Sequence, residues 1–290
     1  MRIDAHQHFW NYQPVRDAWI TEEMAILRRD YRPEDLRAEL CANGFDGSIA
    51  VQASQSEEET RFLLDLAARH PFIVGVVGWV DLAAPDSEER LASFRSFEKL
   101  RGFRHIVQSE PDDDFMLRAE FRRGIGCLSR FGFSYDILIY ARQLPAALKL
   151  ARSYPEQRFV LDHIAKPEIK ARKLEPWASR MRELAALPNV FCKLSGLATE
   201  ADWKNWKADD CRPYLEVAWD CFGADRLMFG SDWPVCLLAG GYAQAYRLVA
   251  EFLASHSAEE QDRVFGINAA RFYGVENRGM KHAREHGSAA

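Results

Sequence analysis

Residues 1–10 read MRIDAHQHFW. If residues 2–8 are extended, period-two alternation turns Asp4, His6 and His8 to one face and Ile3, Ala5 and Gln7 to the other. Two imidazoles on one strand face, two residues apart, are placed to share a metal ion or a substrate. The rest of the chain has to supply their partners.

Working outward, short apolar runs alternate with amphipathic stretches. Strands are predicted at 2–8, 46–53, 73–81, 102–108, 134–140, 158–163, 190–195 and 227–232. Several are near-continuous Val, Ile, Phe and Leu runs, as parallel strands buried on both faces require. Helices are predicted at 33–43, 56–70, 85–100, 114–130, 142–153, 175–187, 213–222 and 242–255. Pro33 sits in the first turn of one, which stops at Gly44. Ser56 caps the next, followed by three glutamates. Eight strand-helix units in this length predict an α/β fold, a (β/α)8 barrel over residues 1–275. A doubly wound open sheet is the alternative. It is weakened because no GxGxxG or GxxxxGK[ST] follows the first strand, which also argues against a nucleotide cofactor. Residues 276–290 read as a polar tail, with His282 and His286 exposed.

The 290 residues carry a net charge of -5, so nothing points to a nucleic-acid or acidic-membrane partner. There is no transmembrane-length apolar run and no basic, then apolar, leader. The six cysteines lack CxxC spacing and read as reduced thiols of a cytoplasmic protein rather than zinc ligands. Oligomeric state is not legible.

In such a barrel, chemistry gathers where the strands end. Those ends carry His6 and His8, Trp79 and Asp81, Arg104, His105 and Gln108, Asp162 and His163, Lys193 and Ser195, and Ser231 and Asp232. A buried strand that finishes in a carboxylate or imidazole needs a partner for it. His70 and His256 fall at helix ends and read as ordinary residues. His6, His8 and His163 fall at strand ends and read as functional, as does Asp232, a rim carboxylate suited to act as a base. By alternation Asp162 faces away from His163 and reads as structural. Asp4 is expected to orient one of the histidines.

These residues come in recognisable contexts. Asp4-Ala-His6-Gln-His8-Phe-Trp10, Leu161-Asp-His163-Ile-Ala-Lys166-Pro167, Lys193-Leu-Ser195-Gly and Phe229-Gly-Ser-Asp232-Trp-Pro234 resemble the amidohydrolase superfamily, and within it the sugar-lactonase branch that opens L-fucono- and L-rhamnonolactones. The resemblance runs to about residue 275 and implies a barrel with His6, His8, His163 and Asp232 around the reacting carbon. Strand four offers His105 where binuclear members use a lysine or acid, and strand five has no histidine, so a two-metal site is not expected.

The expected reaction is water attack on the carbonyl of a small sugar lactone. Asp232 is the expected base, and His163 the group that polarises the carbonyl. His6 and His8 either bind one zinc-like divalent ion, with His163 and Asp232 completing its shell, or donate hydrogen bonds directly, in which case the metal is not required. Arg104 and His105 are expected to grip substrate oxygens, with pairing to Glu110 or a helix acid as Arg104's alternative. The long segment 9–32 reads as a lid or wall. Trp19 and Trp79 are expected to touch substrate, while Trp10 and Trp233 are expected to pack. Rival readings are a dicarboxylate lactonase or a metal-dependent decarboxylase on the same fold, and a non-catalytic sugar-binding barrel.

Overall fold

The computed structural model describes residues 1–275. The predicted tail, with His282 and His286, lies outside the described residues. Eight strands form one parallel sheet in sequence order: β1 (Ile3–Gln7), β2 (Gly47–Val51), β3 (Ile73–Gly78), β4 (Leu100–His105), β5 (Ser134–Ile137), β6 (Phe159–Leu161), β7 (Val190–Leu194) and β8 (Leu227–Phe229). Each matches a predicted strand. The seam between β8 and β1 is bridged at Gln7 and Trp233, and Asp232 N donates to His6 O at 2.9 Å. The result is a nearly closed (β/α)8 barrel.

Helices alternate with the strands. They are α1 (Pro33–Ala42), α2 (Glu57–Arg69), α3 (Ser87–Ser93), α4 (Ala119–Leu128), α5 (Leu144–Ser153), α6 (Trp177–Ala185), α7 (Ala208–Arg226) and α8 (Tyr242–Leu253). Ser56 Oγ accepts from Glu59 N, the predicted cap of α2, worth about 1 kcal/mol. α3 is shorter than predicted because β4 already starts at Leu100, whose register partner is Val76. Two further short helices, α9 (Ala258–Asp262) and α10 (Asn268–Tyr273), were not legible as a periodic pattern. α10 closes one end of the barrel, where Phe272 and Tyr273 are buried. Gly266 approaches the first residues so tightly that an added Cβ would lie 2.1 Å from Met1 O. All six cysteines are free thiols. Among the described residues no helix is long and apolar enough to cross a membrane.

Ile3, Ala5, Ile49, Val51, Val77, Val160 and Met228 pack in one buried cluster with Phe272 and Tyr273. Strands from opposite sides of a barrel share neighbours only through its interior, so these side chains point inward. That overturns the simple alternation of β1. Asp4 pairs with Ser48 and Gln7 with Ala50, so three steps on β1 match two on β2. This is a β-bulge, and one extra residue swaps the faces beyond it. Ile3 and Ala5 point inward before the bulge, and His6 and His8 point inward after it. Asp4 lies on the other face.

The segment 9–32 folds back on itself. Trp10 and Tyr31 exchange backbone hydrogen bonds, and a 3-10 turn covers Glu22–Leu27. The predicted strand ends overrun at β6 and β8. These strands stop at Leu161 and Phe229, so His163 and Asp232 stand just beyond them, in left-handed conformations with φ of 52° and 57°.

Candidate active site

Four side chains converge at the barrel mouth. His6 Nε2 lies 3.2 Å from His8 Nε2. Asp232 Oδ1 lies 3.3 Å from His8 Nε2, 3.8 Å from His6 Nε2 and 4.0 Å from His163 Nε2. The glycines of the sequence motifs make this approach possible. An added Cβ at Gly230 would meet His6 Cβ at 2.6 Å, and one at Gly196 would meet His163 Nδ1 at 2.7 Å.

The proton positions follow from the partners. His8 Nδ1 lies 2.8 Å from Val51 O, a pure acceptor, so His8 carries a proton on Nδ1 and turns Nε2 toward Asp232. His163 Nδ1 meets Ser195 Oγ at 2.9 Å. Burial pushes the His163 imidazole down to about 4, against the attraction of Asp232. Burial also holds His6 well below the ordinary histidine range, although Asp162 pulls it back. Burial alone would raise the Asp232 carboxyl, but His163, His8 and His6 more than offset it and hold it below the ordinary range. His6 and His163 thus stand neutral beside an ionised Asp232, the state a general base needs.

Beneath these groups lies a charge cluster centred on Lys193, a residue that the sequence reading left without a role. Lys193, wholly buried, reaches Asp136 Oδ2 at 2.5 Å, Asp162 Oδ1 at 3.0 Å and His6 Nδ1 at 3.2 Å. Tyr273 Oη donates to Asp136 Oδ2 at 2.8 Å. Arg104 meets Asp162 Oδ2 at 3.0 Å and His6 Nε2 at 3.3 Å, and it also donates to Gln52 O. Burial raises Asp162, but Lys193, His6 and Arg104 overcome it and hold this carboxyl well below its ordinary range.

Several expectations need correcting. Asp162 does not face away from His163. Both bring a ligand atom near His6, because the strand ends at Leu161 and the left-handed turn cancels the alternation. Asp162, rather than Asp4, is the carboxylate behind His6, with Oδ1 at 3.4 Å from Nδ1. Asp4 instead accepts from His6 N and from the Ser231 amide and hydroxyl, pinning the end of β8 to β1. Arg104 pairs with Asp162, not with Glu110. It is His105 that holds Glu110, at 2.7 Å.

A cavity of about 190 Å³ opens over the cluster. His8, His163, Asp232, Arg104 and Trp19 line it, together with Trp10, Gln108, Ser109 and Lys166. Trp10, expected to pack, does so edge-on against Tyr31 and Trp19 and also forms part of this wall. Trp233 packs behind Asp232 against Phe9 and Tyr31. Trp79 and His105 are not among the lining residues. Trp79 Nε1 donates to His105 Nδ1 at 3.3 Å, and the His105 ring stacks on Phe115. The structure therefore occupies both rings with each other and their neighbours.

The donor set suits a single divalent ion. Ligand atoms of His6, His8 and Asp232 lie within 4.8 Å of one another. Tetrahedral zinc, with ligands near 2.0–2.1 Å, spaces them roughly 3.3 Å apart, close to the 3.2 and 3.3 Å separations here. The Nε2 that His8 turns toward Asp232 is the atom a cation between them would use, and Asp162 behind His6 is the carboxylate that steadies such a ring.

Residues 3–275 match the amidohydrolase family. The chain is 45% identical over 286 residues to an L-fucono-1,5-lactonase of Burkholderia multivorans, covering 95% of this chain and 96% of that protein. It is 40% identical to an L-fucono-1,5-lactonase of Burkholderia ambifaria, covering 98% and 99%. A crystal structure of an amidohydrolase from Burkholderia multivorans with bound zinc superposes with a TM-score of 0.92 at 45% identity, covering 95% of this chain and all of that one. With the match spanning nearly every described residue, the chain belongs to the amidohydrolase family.

Proposed function

We propose that this protein is a hydrolase that opens sugar-acid lactones, L-fucono-1,5-lactone foremost, to the free acid. The observation that carries this reading is the convergence of His6, His8 and His163 on Asp232 at one cavity, in a chain 45% identical to an L-fucono-1,5-lactonase. The lactone ring lies in the cavity with its carbonyl toward the imidazoles. Asp232, ionised, takes a proton from the attacking water. His163, held by Ser195, donates toward or polarises the carbonyl oxygen as charge develops there. Asp232 then passes its proton to the ring oxygen as the carbon–oxygen bond breaks. Trp19 and Trp10 shield one side of the cavity and suit the apolar face of a sugar ring. Arg104 and Gln108 offer polar contacts to the ring hydroxyls.

His6, His8 and Asp232, with His163 close by, would hold a zinc-like ion. Such an ion, when bound, supplies Lewis-acid polarisation of the carbonyl. Hydrolysis of a panel of aldonolactones, followed by acid release before and after chelation, tests both parts. Asp232→Asn keeps the shape and removes the base, and is expected to lower kcat by about 10²–10⁴-fold. Intact activity of that variant, or a wild type that opens no sugar lactone, would sink the reading. Activity that survives chelation assigns the polarising role to the imidazoles alone.

A further inference from the structure

Four consecutive non-glycine residues, His163, Ile164, Ala165 and Lys166, have φ of 52°, 46°, 60° and 47°. Left-handed backbone costs an L-residue roughly 1–2 kcal/mol, and a β-branched residue such as Ile164 tolerates it poorly. Strain of this kind persists where the surroundings enforce it, and it marks functional segments. Here Trp177 Nε1 donates to Ile164 O at 2.7 Å, and Ile164 and Ala165 are wholly buried.

Lys166 N donates to His163 O at 2.8 Å, closing a three-residue turn. At three residues per turn, positions i and i+3 stand over one another. The turn therefore aligns Lys166 with His163, and both line the cavity. One left-handed residue is enough to redirect His163. Three more bring Lys166 to its side.

Lys166 Nζ lies 3.3 Å from Glu200 Oε1, at 18% and 21% exposure. The other cation lining the cavity, Arg104, is tied to Asp162 below. Among the described residues Glu200 is thus the one carboxylate that holds the Lys166 ammonium, with the Tyr140 ring 5.8 Å from it, in a residue that lines the same cavity as His163 and Asp232.

In lactone hydrolysis the water oxygen bonds to the carbonyl carbon and the ring carbon–oxygen bond breaks. One water proton reaches the ring oxygen through Asp232, and the new carboxylic acid gives its remaining proton to solvent. A neutral substrate has become an anion next to Asp232, which is again ionised. Like charges this close in a buried site are costly. We propose that Lys166 binds the product carboxylate. Its ammonium exchanges Glu200 for the new anion, so Glu200 is a resting counter-ion and Lys166 sets the affinity for charged product relative to neutral lactone. This rests on the lactonase reading above.

The test measures KM for L-fucono-1,5-lactone and Ki for added L-fuconate in wild type, Lys166→Met and Glu200→Gln. In Lys166→Met the ratio Ki/KM is expected to rise about tenfold, a typical effect of losing a partly buried charge pair. In Glu200→Gln the ammonium is released to the product, and the ratio is expected to fall severalfold. A folding defect does not move the two variants in opposite directions. An unchanged ratio in Lys166→Met, or a shift of the same sign in both, overturns the proposal while leaving lactone hydrolysis intact. A wild type that leaves the lactone unopened overturns the parent reading, and this one with it.

Discussion

The floor and the mouth of this barrel use the same residue types to opposite ends. On the floor, Lys193 touches Asp136 and Asp162, Arg104 touches Asp162, and Tyr273 caps Asp136. Every charge there meets a counter-charge, and the cluster is sealed between His6 and α10. At the mouth, His8 aims Nε2 at Asp232, and His163 and Lys166 turn one side to a cavity. Buried charge neutralised in place makes a scaffold, and buried charge left facing a cavity makes a site. Asp162 marks the border, since it completes the floor and backs His6.

The largest way to break this contrast is to remove the floor's central cation. Lys193→Met leaves Asp136 and Asp162 facing each other in the interior, and the loss of one partner from a buried ion pair costs about 3–5 kcal/mol. Urea unfolding is expected to show that loss as a lower midpoint. A midpoint that stays put would mean the floor carries little stability. Glu59 tests the contrast from the other side. It lies by the mouth and rests on a backbone amide, Ala53 N at 2.6 Å, rather than on an ammonium. Burial pushes its carboxyl up to about 7, against the fields of Arg16 and Arg104, where the ordinary value is 4.5. The folded state therefore binds more protons than the unfolded chain between these values. The favourable contribution is complete below pH 4.5 and is lost as pH rises through 7, a swing of roughly 3 kcal/mol. Glu59→Gln is expected to flatten that part of the stability–pH profile. An identical slope in the variant would mean other groups set it.

What the sequence made legible follows the same division. The eight strands were readable because parallel strands buried on both faces are apolar throughout. His6, His8, His163 and Asp232 were readable because imidazoles and a carboxylate interrupt those runs at their ends. The floor was harder. Asp136 interrupts SYDILIY and Lys193 interrupts VFCKLS, and each was a visible polar residue in an apolar strand. Their pairing depends on which strands face each other across the barrel, and Tyr273 enters from a helix too short to show a period. Strict alternation failed where the backbone departs from an ideal strand, at the bulge after Asp4 and in the left-handed turn at His163. These departures place His6 inward and bring Asp162 and His163 together. Trp79 and His105 sat at strand ends as well, but position along a strand does not reveal that two rings will bind each other.

Ser195 sharpens the border between the two regions by the smallest effect. Its hydroxyl is the partner of His163 Nδ1 at 2.9 Å, and it stands one residue from Gly196, whose lack of a Cβ lets the ring sit there. Ser195→Ala removes no charge and leaves the floor intact, so the unfolding midpoint is expected to change little. The His163 ring loses the bond that fixes its orientation and proton position. Losses of supporting hydrogen bonds of this kind typically cost about 10–100-fold in activity, and the lower end is expected because the ring remains confined by packing. On the proposed mechanism the loss belongs in kcat rather than KM, since a ring that polarises the carbonyl matters most as charge develops in the transition state. Steady-state kinetics showing a KM effect alone would move His163 from the chemistry to substrate binding. A large drop in stability would move Ser195 to the scaffold.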